Sequence, residues 1–269
     1  KPEFTRFGIQ DMPCTDLPQA EIEAAGAFRA GKICRFGAPG ARIAVALWGD
    51  SHANAIAPAF HLALANAGRG GLLITQGACA PTLGLPRQSA PDQKSCASQT
   101  HTAPALIDHF APEVVVLVAN WADYNQTRDA WRQTVEALDR SLAALSRNNR
   151  TVLIATPIPQ QSHAAPKRLF ATAHLGAALP PALSRADYGE NNAVLLRDLA
   201  LRSTKPGIGI FAQHEIICDA KVCPSYRRLD FGPTPDTLIP LYADPSHINT
   251  FSALGRRRSR ARVENSSKI

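Results

Sequence analysis

Five short apolar runs, separated by stretches with helical spacing, constrain the fold of this chain more than any other feature. The runs are 42–48 (RIAVALW), 71–75 (GLLIT), 113–119 (EVVVLVA), 151–155 (TVLIA) and 207–211 (GIGIF). Each has the length and the continuous hydrophobicity of a strand that is covered on both faces. Helices are expected near 53–67, 100–110, 127–147 and 190–203. This alternation predicts an α/β fold with a parallel sheet between two layers of helices.

The chain divides into an extension, one domain and a tail. Residues 1–41 contain four prolines and no sustained period, so we interpret them as an N-terminal extension with a short helix near 19–30. Residues 42–255 form the predicted domain, with a Pro- and Ala-rich insertion at about 156–189. The basic tail, 256–269, breaks the apolar pattern; we interpret it as disordered or not native and assign it no function.

The net charge of +7 is concentrated in the tail. Six Lys and Arg residues against Glu264 give 256–269 a charge of +5, which leaves +2 for the rest of the chain. A basic tail is not a groove-reading fold, so no nucleic-acid partner is expected. No apolar run approaches the roughly 18 residues of a membrane span, and no signal peptide is visible at Lys1. If the domain is exported, we expect the chain to be a fragment: either a signal peptide was removed, or the domain was cut from a longer membrane-bound protein.

Six cysteines form three local couples, Cys14/Cys34, Cys79/Cys96 and Cys218/Cys223. Sequence alone allows fifteen pairings, but local loop closure favours these three. A zinc site is the rival interpretation, although no CxxC pair and no suitably spaced histidine occurs. Six buried free thiols are the third. Three disulfides would indicate an oxidising compartment, and Cys14–Cys34 would tie down the N-terminal extension.

The first chemical motif is Gly49-Asp50-Ser51-His52, directly after the first apolar run. A serine at a helix N-terminus lies where free N–H groups and the helix dipole stabilise developing negative charge. That position suits a nucleophile. The alternative is that Ser51 or Asp50 only caps the helix.

The second motif is Asp244-Pro245-Ser246-His247, near the other end of the chain. A D-x-x-H spacing lets the carboxylate reach the imidazole of the same turn and fix its tautomer. The second ring nitrogen then remains free to act as a general base. The alternative is a polar turn before a last helix.

Together, the two motifs resemble those of the SGNH/GDSL hydrolase superfamily, over roughly 42–255. The form Gly49-Asp50-Ser51-His52 is similar to the extracytoplasmic SGNH domain fused to membrane acyltransferase-3 proteins. The segment 114–124 (VVVLVANWADY), the loop 77–81 (GACAP) and the paired cysteines agree with that subgroup. The resemblance implies a three-layer αβα sandwich with a parallel, flavodoxin-like sheet.

The resemblance also implies roles for single residues. Ser51 would be the nucleophile, His247 the general base and Asp244 its orienting carboxylate. The oxyanion hole would combine the Ser51 N–H, the Gly77 N–H and Asn120, although Ala78 could replace Gly77. The superfamily string G-x-N-D stands here as Val118-Ala119-Asn120-Trp121, which departs from the pattern.

Three neighbouring side chains receive structural interpretations. For His52 a structural hydrogen bond is favoured over a substrate contact. Trp121 is expected in the core, and Asp123 as a solvated loop carboxylate. The other histidines show no ligand spacing, and this domain is expected to bind no metal and no cofactor.

The function that the resemblance implies is O-acyl transfer, and in particular O-acetylation of an extracytoplasmic glycan. A membrane acyltransferase domain, in the same polypeptide, would use acetyl-CoA and supply the acyl group, and the SGNH domain would be periplasmic and tethered to the inner membrane. A secreted carbohydrate esterase is the alternative. A glycan-binding module with a degenerate site is the third, and the presence of Ser51, Asp244 and His247 argues against it.

Overall fold

The computed structural model of the protein describes residues 14–85, 93–147, 149–228 and 238–249. The predicted tail, 256–269, and the predicted end of the domain at 250–255 lie outside these residues.

The strands and helices alternate along most of the chain. The helices are α1 (Gln19–Ala24), α2 (Ser51–Asn66), α3 (Gln93–Phe110), α4 (Arg128–Leu145), α5 (Ala165–Leu175), α6 (Arg185–Asn191), α7 (Ala193–Arg202) and α8 (His214–Ile217). The strands are β1 (Thr15–Asp16), β2 (Lys32–Gly37), β3 (Ile43–Gly49), β4 (Gly70–Thr75), β5 (Val114–Val118), β6 (Thr151–Ala155), β7 (Leu183–Ser184), β8 (Ile208–Phe211), β9 (Val222–Cys223), β10 (Tyr226–Arg228) and β11 (Leu238–Pro240). A 3-10 helix covers Trp121–Tyr124.

The main sheet of the described residues has seven strands in the order β1-β2-β4-β3-β5-β6-β8. Its five strands from β4 to β8 are parallel, and they are the five strands predicted from the apolar runs. The chain first steps from β3 to β4 and then returns past β3 to β5. This is the flavodoxin-like order, in which ligands bind where the strand order reverses. The predicted fold class is therefore confirmed, and α2, which opens with Ser51, begins at that reversal.

Buried side chains lie on both faces of the sheet because successive residues of a strand point to opposite sides. In β5, Val115 and Leu117 belong to the core shared with α3, α4 and α7. Val116 and Val118 belong to the core shared with α2 and α5. Two layers of helices therefore cover the sheet, as the continuous apolar runs predict.

The predicted N-terminal extension contributes to the main sheet. Its strand β2 pairs antiparallel with β4, and β1 pairs antiparallel with β2. Lys32 and Arg35 interrupt the apolar pattern of β2, which is why no strand was predicted there. The helix expected near 19–30 begins as predicted but ends at Ala24, because Gly26 adopts a φ of 66° that no helix can continue.

All six cysteines are paired, as Cys14–Cys34, Cys79–Cys96 and Cys218–Cys223. The predicted pairing is confirmed. Within the described ranges, no helix is long and apolar enough to cross a membrane, and no cluster of three or more His, Cys, Asp or Glu residues could hold a metal ion.

The helices after β6 differ from their predicted bounds. The insertion predicted at 156–189 contains α5, β7 and the start of α6. The helix predicted at 190–203 is present as two, α6 and α7, which meet at Asn192. Trp131 and Asp198 connect α4 to α7 through a 2.8 Å hydrogen bond from Nε1 to Oδ2.

The three disulfides predict the mass of the chain under non-reducing conditions. Intact-mass measurement should give a value about 6 Da below that of the reduced protein, since each bond removes two hydrogens. Peptide mapping should recover the links Cys14–Cys34, Cys79–Cys96 and Cys218–Cys223. Alkylation of six thiols in protein isolated from an oxidising compartment would contradict this pairing.

Candidate active site

Ser51 lies at the first position of α2, immediately beyond the carboxyl end of β3. The turn before it is tight. A Cβ at Gly49 would overlap the carbonyl oxygen of Val118, so only glycine lets β3 and β5 approach this closely. The predicted strand–turn–helix context of the serine is therefore present, and its hydroxyl lies at the carboxyl edge of the sheet.

Asp244 and His247 occupy one turn after β11. Asp244 Oδ1 accepts hydrogen bonds from the N–H groups of Ser246 and His247, both at 2.8 Å. Its Oδ2 lies 2.7 Å from His247 Nδ1. The D-x-x-H spacing thus folds as expected, with the carboxylate against the imidazole of its own turn.

The same imidazole reaches the serine, which is 196 positions away in the sequence. His247 Nε2 lies 2.7 Å from Ser51 Oγ. The structure therefore brings the three predicted residues into one chain of hydrogen bonds, Ser51–His247–Asp244. Such a chain can move a proton from the hydroxyl to the imidazole while the carboxylate stabilises the imidazolium.

The hydrogen bonds to Asp244 keep this carboxyl ionised. Partial burial acts to raise its pKa, but the N–H groups of His247 and Ser246 and the adjacent His247 ring outweigh burial. The pKa of Asp244 consequently lies below its ordinary value. An ionised Asp244 accepts from Nδ1–H of His247, which leaves Nε2 as the basic nitrogen beside Ser51.

Asp50 joins two strand ends and the start of the helix. Its Oδ1 caps α2 by accepting from the His52 N–H at 2.8 Å, and its Oδ2 accepts from the Asn120 N–H at 2.8 Å. Its carbonyl oxygen accepts from Thr75 Oγ1 at 2.5 Å. The cap is one of the two roles that the sequence predicts for this motif. The bond to Asn120 has no local signature, because the two residues are 70 positions apart.

The three predicted oxyanion donors share a position relative to the sheet. Gly49 is paired with Thr75 in β4 and with Val118 in β5. Ser51, Gly77 and Asn120 each follow one of these three paired residues by two positions, so they emerge from adjacent strands at one edge. Among the described residues no group accepts a hydrogen bond from the N–H of Ser51 or Gly77. Both donors are available to a ligand.

The side chain of Asn120 has a partner at each end. Its Oδ1 accepts from Gln160 Nε2 at 2.9 Å, and its Nδ2 group interacts with the Asp123 carboxylate, which opposes the rise of the Asp123 pKa. Nδ2 carries two N–H bonds, so it can donate toward the site as well as to Asp123. The alternative backbone donor, Ala78, lies beside Gly77 in the turn after β4, with a φ of 54°.

Comparison with known protein families identifies the chain. The family model described as the SGNH domain fused to AT3 domains matches residues 14–256. The chain belongs to this SGNH family. The solved structure of the lipopolysaccharide acetyltransferase periplasmic domain of Salmonella ser. Paratyphi A is similar, with a TM-score of 0.63 and 16% identity over 93% of this chain and 91% of that one. A comparison with curated protein sequences found no match.

The structure of this SGNH domain can also be compared with the structural interpretations of Trp121, Asp123 and His52. Trp121 is buried and donates from Nε1 to the Ala155 carbonyl at 2.8 Å, so its predicted place in the core is confirmed. Asp123 is exposed in the 3-10 helix, and desolvation nevertheless raises its pKa. The expectation for His52 is wrong, because no described group makes a hydrogen bond to its ring nitrogens.

Burial raises the pKa of Asp50 from 3.8 to about 7, against the opposing effect of the Asn120 and His52 N–H groups. The folded SGNH domain therefore holds a proton that the unfolded chain releases between these two values. Stability should fall as pH rises through this interval, with a contribution approaching about 1.4 kcal/mol per pH unit.

Urea unfolding of the wild type and of Asp50→Asn, at several pH values between 4 and 7, measures this contribution. The variant cannot titrate at this position, so its stability should lose that part of the pH dependence. Equal slopes for the two proteins would show that Asp50 does not titrate in this range.

Proposed function

We propose that this SGNH domain is a serine-dependent O-acyltransferase in which Ser51 carries the acyl group. The observation that carries the proposal is the pair of 2.7 Å contacts, from Ser51 Oγ to His247 Nε2 and from His247 Nδ1 to Asp244 Oδ2. A hydroxyl in this arrangement can be deprotonated as it attacks, which a helix cap alone would not require.

The first half of the reaction acylates the enzyme. His247 Nε2 takes the proton of Ser51 Oγ as the oxygen attacks the carbonyl carbon of the acyl donor. The tetrahedral intermediate collapses, the bond to the leaving group breaks, and His247 returns the proton to that group. Asp244 remains ionised throughout and stabilises the transient imidazolium.

The second half transfers the acyl group. The acceptor hydroxyl attacks the acyl-Ser51 ester while His247 takes its proton. Collapse of the second tetrahedral intermediate releases the acylated acceptor, and the proton returns to Ser51 Oγ. In both halves, negative charge develops on the former carbonyl oxygen. This charge would be stabilised by the N–H groups of Ser51 and Gly77 and by Asn120 Nδ2. The three residues emerge from neighbouring strand ends.

The proposed acyl group is acetyl and the proposed acceptor is a glycan. The family description links this domain to AT3 domains, and the Salmonella structure of similar fold comes from a lipopolysaccharide acetyltransferase. We propose that an AT3 membrane domain of the same polypeptide uses acetyl-CoA and supplies the acetyl group. The SGNH domain would itself bind no cofactor and would work in the periplasm, where three disulfides can persist.

Deacylation of a carbohydrate ester is the second candidate function. It is favoured by one feature, namely that the same His247 nitrogen would activate water as readily as a sugar hydroxyl. Incubation with a chromogenic acetyl ester, with and without glycan acceptors, separates the two functions when products are identified by mass spectrometry. Acetylated glycan supports transfer, and free acetate at the same rate in both mixtures supports the esterase.

Substitution of the triad tests the acyl-enzyme. Ser51→Ala and His247→Ala should abolish turnover of the acetyl ester, whereas Asp244→Ala should lower kcat by about 10⁴-fold. Ser246→Ala is the matched control, because Ser246 Oγ also lies near the imidazole, 3.3 Å from His247 Nδ1. This variant should remain active, since its backbone N–H still holds Asp244. An active Ser51→Ala protein, or an inactive Ser246→Ala protein, would contradict the assignment of the nucleophile.

Substitution of Asn120 tests the oxyanion hole. Loss of one such donor typically lowers kcat by about 10²–10³-fold, so Asn120→Ala should do the same. KM should change little, because the interaction strengthens only when charge develops on the oxygen. Asn120→Asp should be at least as slow, since it places a negative charge near the oxyanion.

Thermal unfolding of the same preparations separates this role from a structural one. If Asn120 served only its bond to Gln160 and the end of β5, Asn120→Ala would lower Tm and keep its kcat per folded molecule. Unchanged kcat would leave the oxyanion to the backbone N–H groups.

A further inference from the structure

His52 has no role in the reaction described above, yet it lies beside the reacting groups. It follows Ser51 in the first turn of α2, and only 2% of its surface is exposed. Its ring lies against that of His247, with 4.5 Å between the ring centroids and 36° between the ring planes. The general base of the proposed reaction is therefore covered on one face by a second imidazole.

The ring of His52 makes this contact without any hydrogen bond in the described part of the chain. Its Nδ1 and Nε2 are both buried and unpartnered there. Burial, with the neighbouring His247 acting in the same direction, lowers the pKa of His52 to about 3. The ring is thus neutral when His247 becomes an imidazolium, and it places no second positive charge beside the base.

His247 needs a contact of this kind. Its two nitrogens are held at the ring edge, by Ser51 Oγ and by Asp244 Oδ2. Both hydrogen bonds lie in the plane of the ring, one at each nitrogen. They therefore do little to prevent rotation of the ring about the line through its two nitrogens. A group packed against the ring does oppose it, and among the described residues the ring of His52 lies against that of His247, tilted by 36°.

We propose that His52 is a positioning residue, whose ring packs on the face of His247 and keeps Nε2 aligned with Ser51 Oγ. The proposal rests on the proposed roles of Ser51 and His247. It assigns the effect to the shape of the ring and not to its nitrogens, because both nitrogens are buried and make no hydrogen bond to the described residues.

Two substitutions separate the ring from its nitrogens. His52→Ala removes the ring face, so kcat for the acetyl ester should fall by about 10²-fold, the loss that small misplacements of catalytic groups produce. KM should change little. His52→Phe keeps an aromatic ring and should retain most of the wild-type kcat. It should also be at least as stable as the wild type, because two buried unpartnered nitrogens are removed.

His61→Ala is the matched control in the same helix. His61 Nδ1 accepts from the Gly37 N–H at 3.0 Å, away from the triad. Its removal should lower Tm and leave kcat per folded molecule unchanged. A His52→Phe protein as slow as His52→Ala would overturn the proposal, since the ring nitrogens would then be required.

Proton NMR tests the position of His247 without relying on turnover. The Nδ1–H proton that His247 shares with Asp244 should give a slowly exchanging downfield signal in the wild type and in His52→Phe. In His52→Ala the signal should broaden or disappear as the ring becomes mobile. An unchanged signal in His52→Ala overturns the proposal. If the wild type turned over no ester, the proposed function would fail, and this signal would still report whether His52 holds the ring.

Discussion

The geometry of the site depends on the buried carboxyl group of Asp50. A helix start and a strand end both leave backbone N–H groups without intrahelical or ladder partners, and here one side chain satisfies both. Its two oxygens bind the His52 and Asn120 N–H groups at 2.8 Å. The first turn of α2 is thereby fixed relative to the end of β5. Asp50 therefore ties the segment that carries Ser51 to the segment that carries Asn120.

The parallel sheet supplies the rest of this arrangement. Gly49 of β3 is paired with Thr75 of β4 and with Val118 of β5. The residues two positions after each of these three therefore emerge at one edge of the sheet. They are Gly77, Ser51 and Asn120. Strand pairing and one tight turn therefore place the proposed nucleophile and its three proposed donors at the same edge.

The sequence predicts the parts of the fold and site that have a local signature. The five parallel strands are continuous apolar runs, and the Asp244–His247 turn follows from the spacing within its own motif. The missed features depend on residues distant in the chain. β2 is a strand because β4 offers it an edge, although Lys32 and Arg35 break its apolar pattern. Likewise, nothing near Asp50 in the sequence indicates that its second oxygen would bind Asn120, or that the His52 ring would meet His247.

Local and long-range contacts hold His247, the proposed general base, in different ways. The turn fixes Asp244 against His247 through its own N–H groups, and the Ala243 N–H donates to the His247 carbonyl at 2.8 Å. All of these bonds lie within the turn itself. Its position relative to Ser51 depends instead on contacts to other elements, such as the 2.7 Å bond from the Gln161 N–H to the Pro245 carbonyl. The packing of His52 on His247 belongs to this second class, and it joins the turn directly to the helix that carries Ser51. The geometry within the Asp244–His247 pair is therefore local in origin, whereas its alignment with Ser51 is a product of tertiary packing.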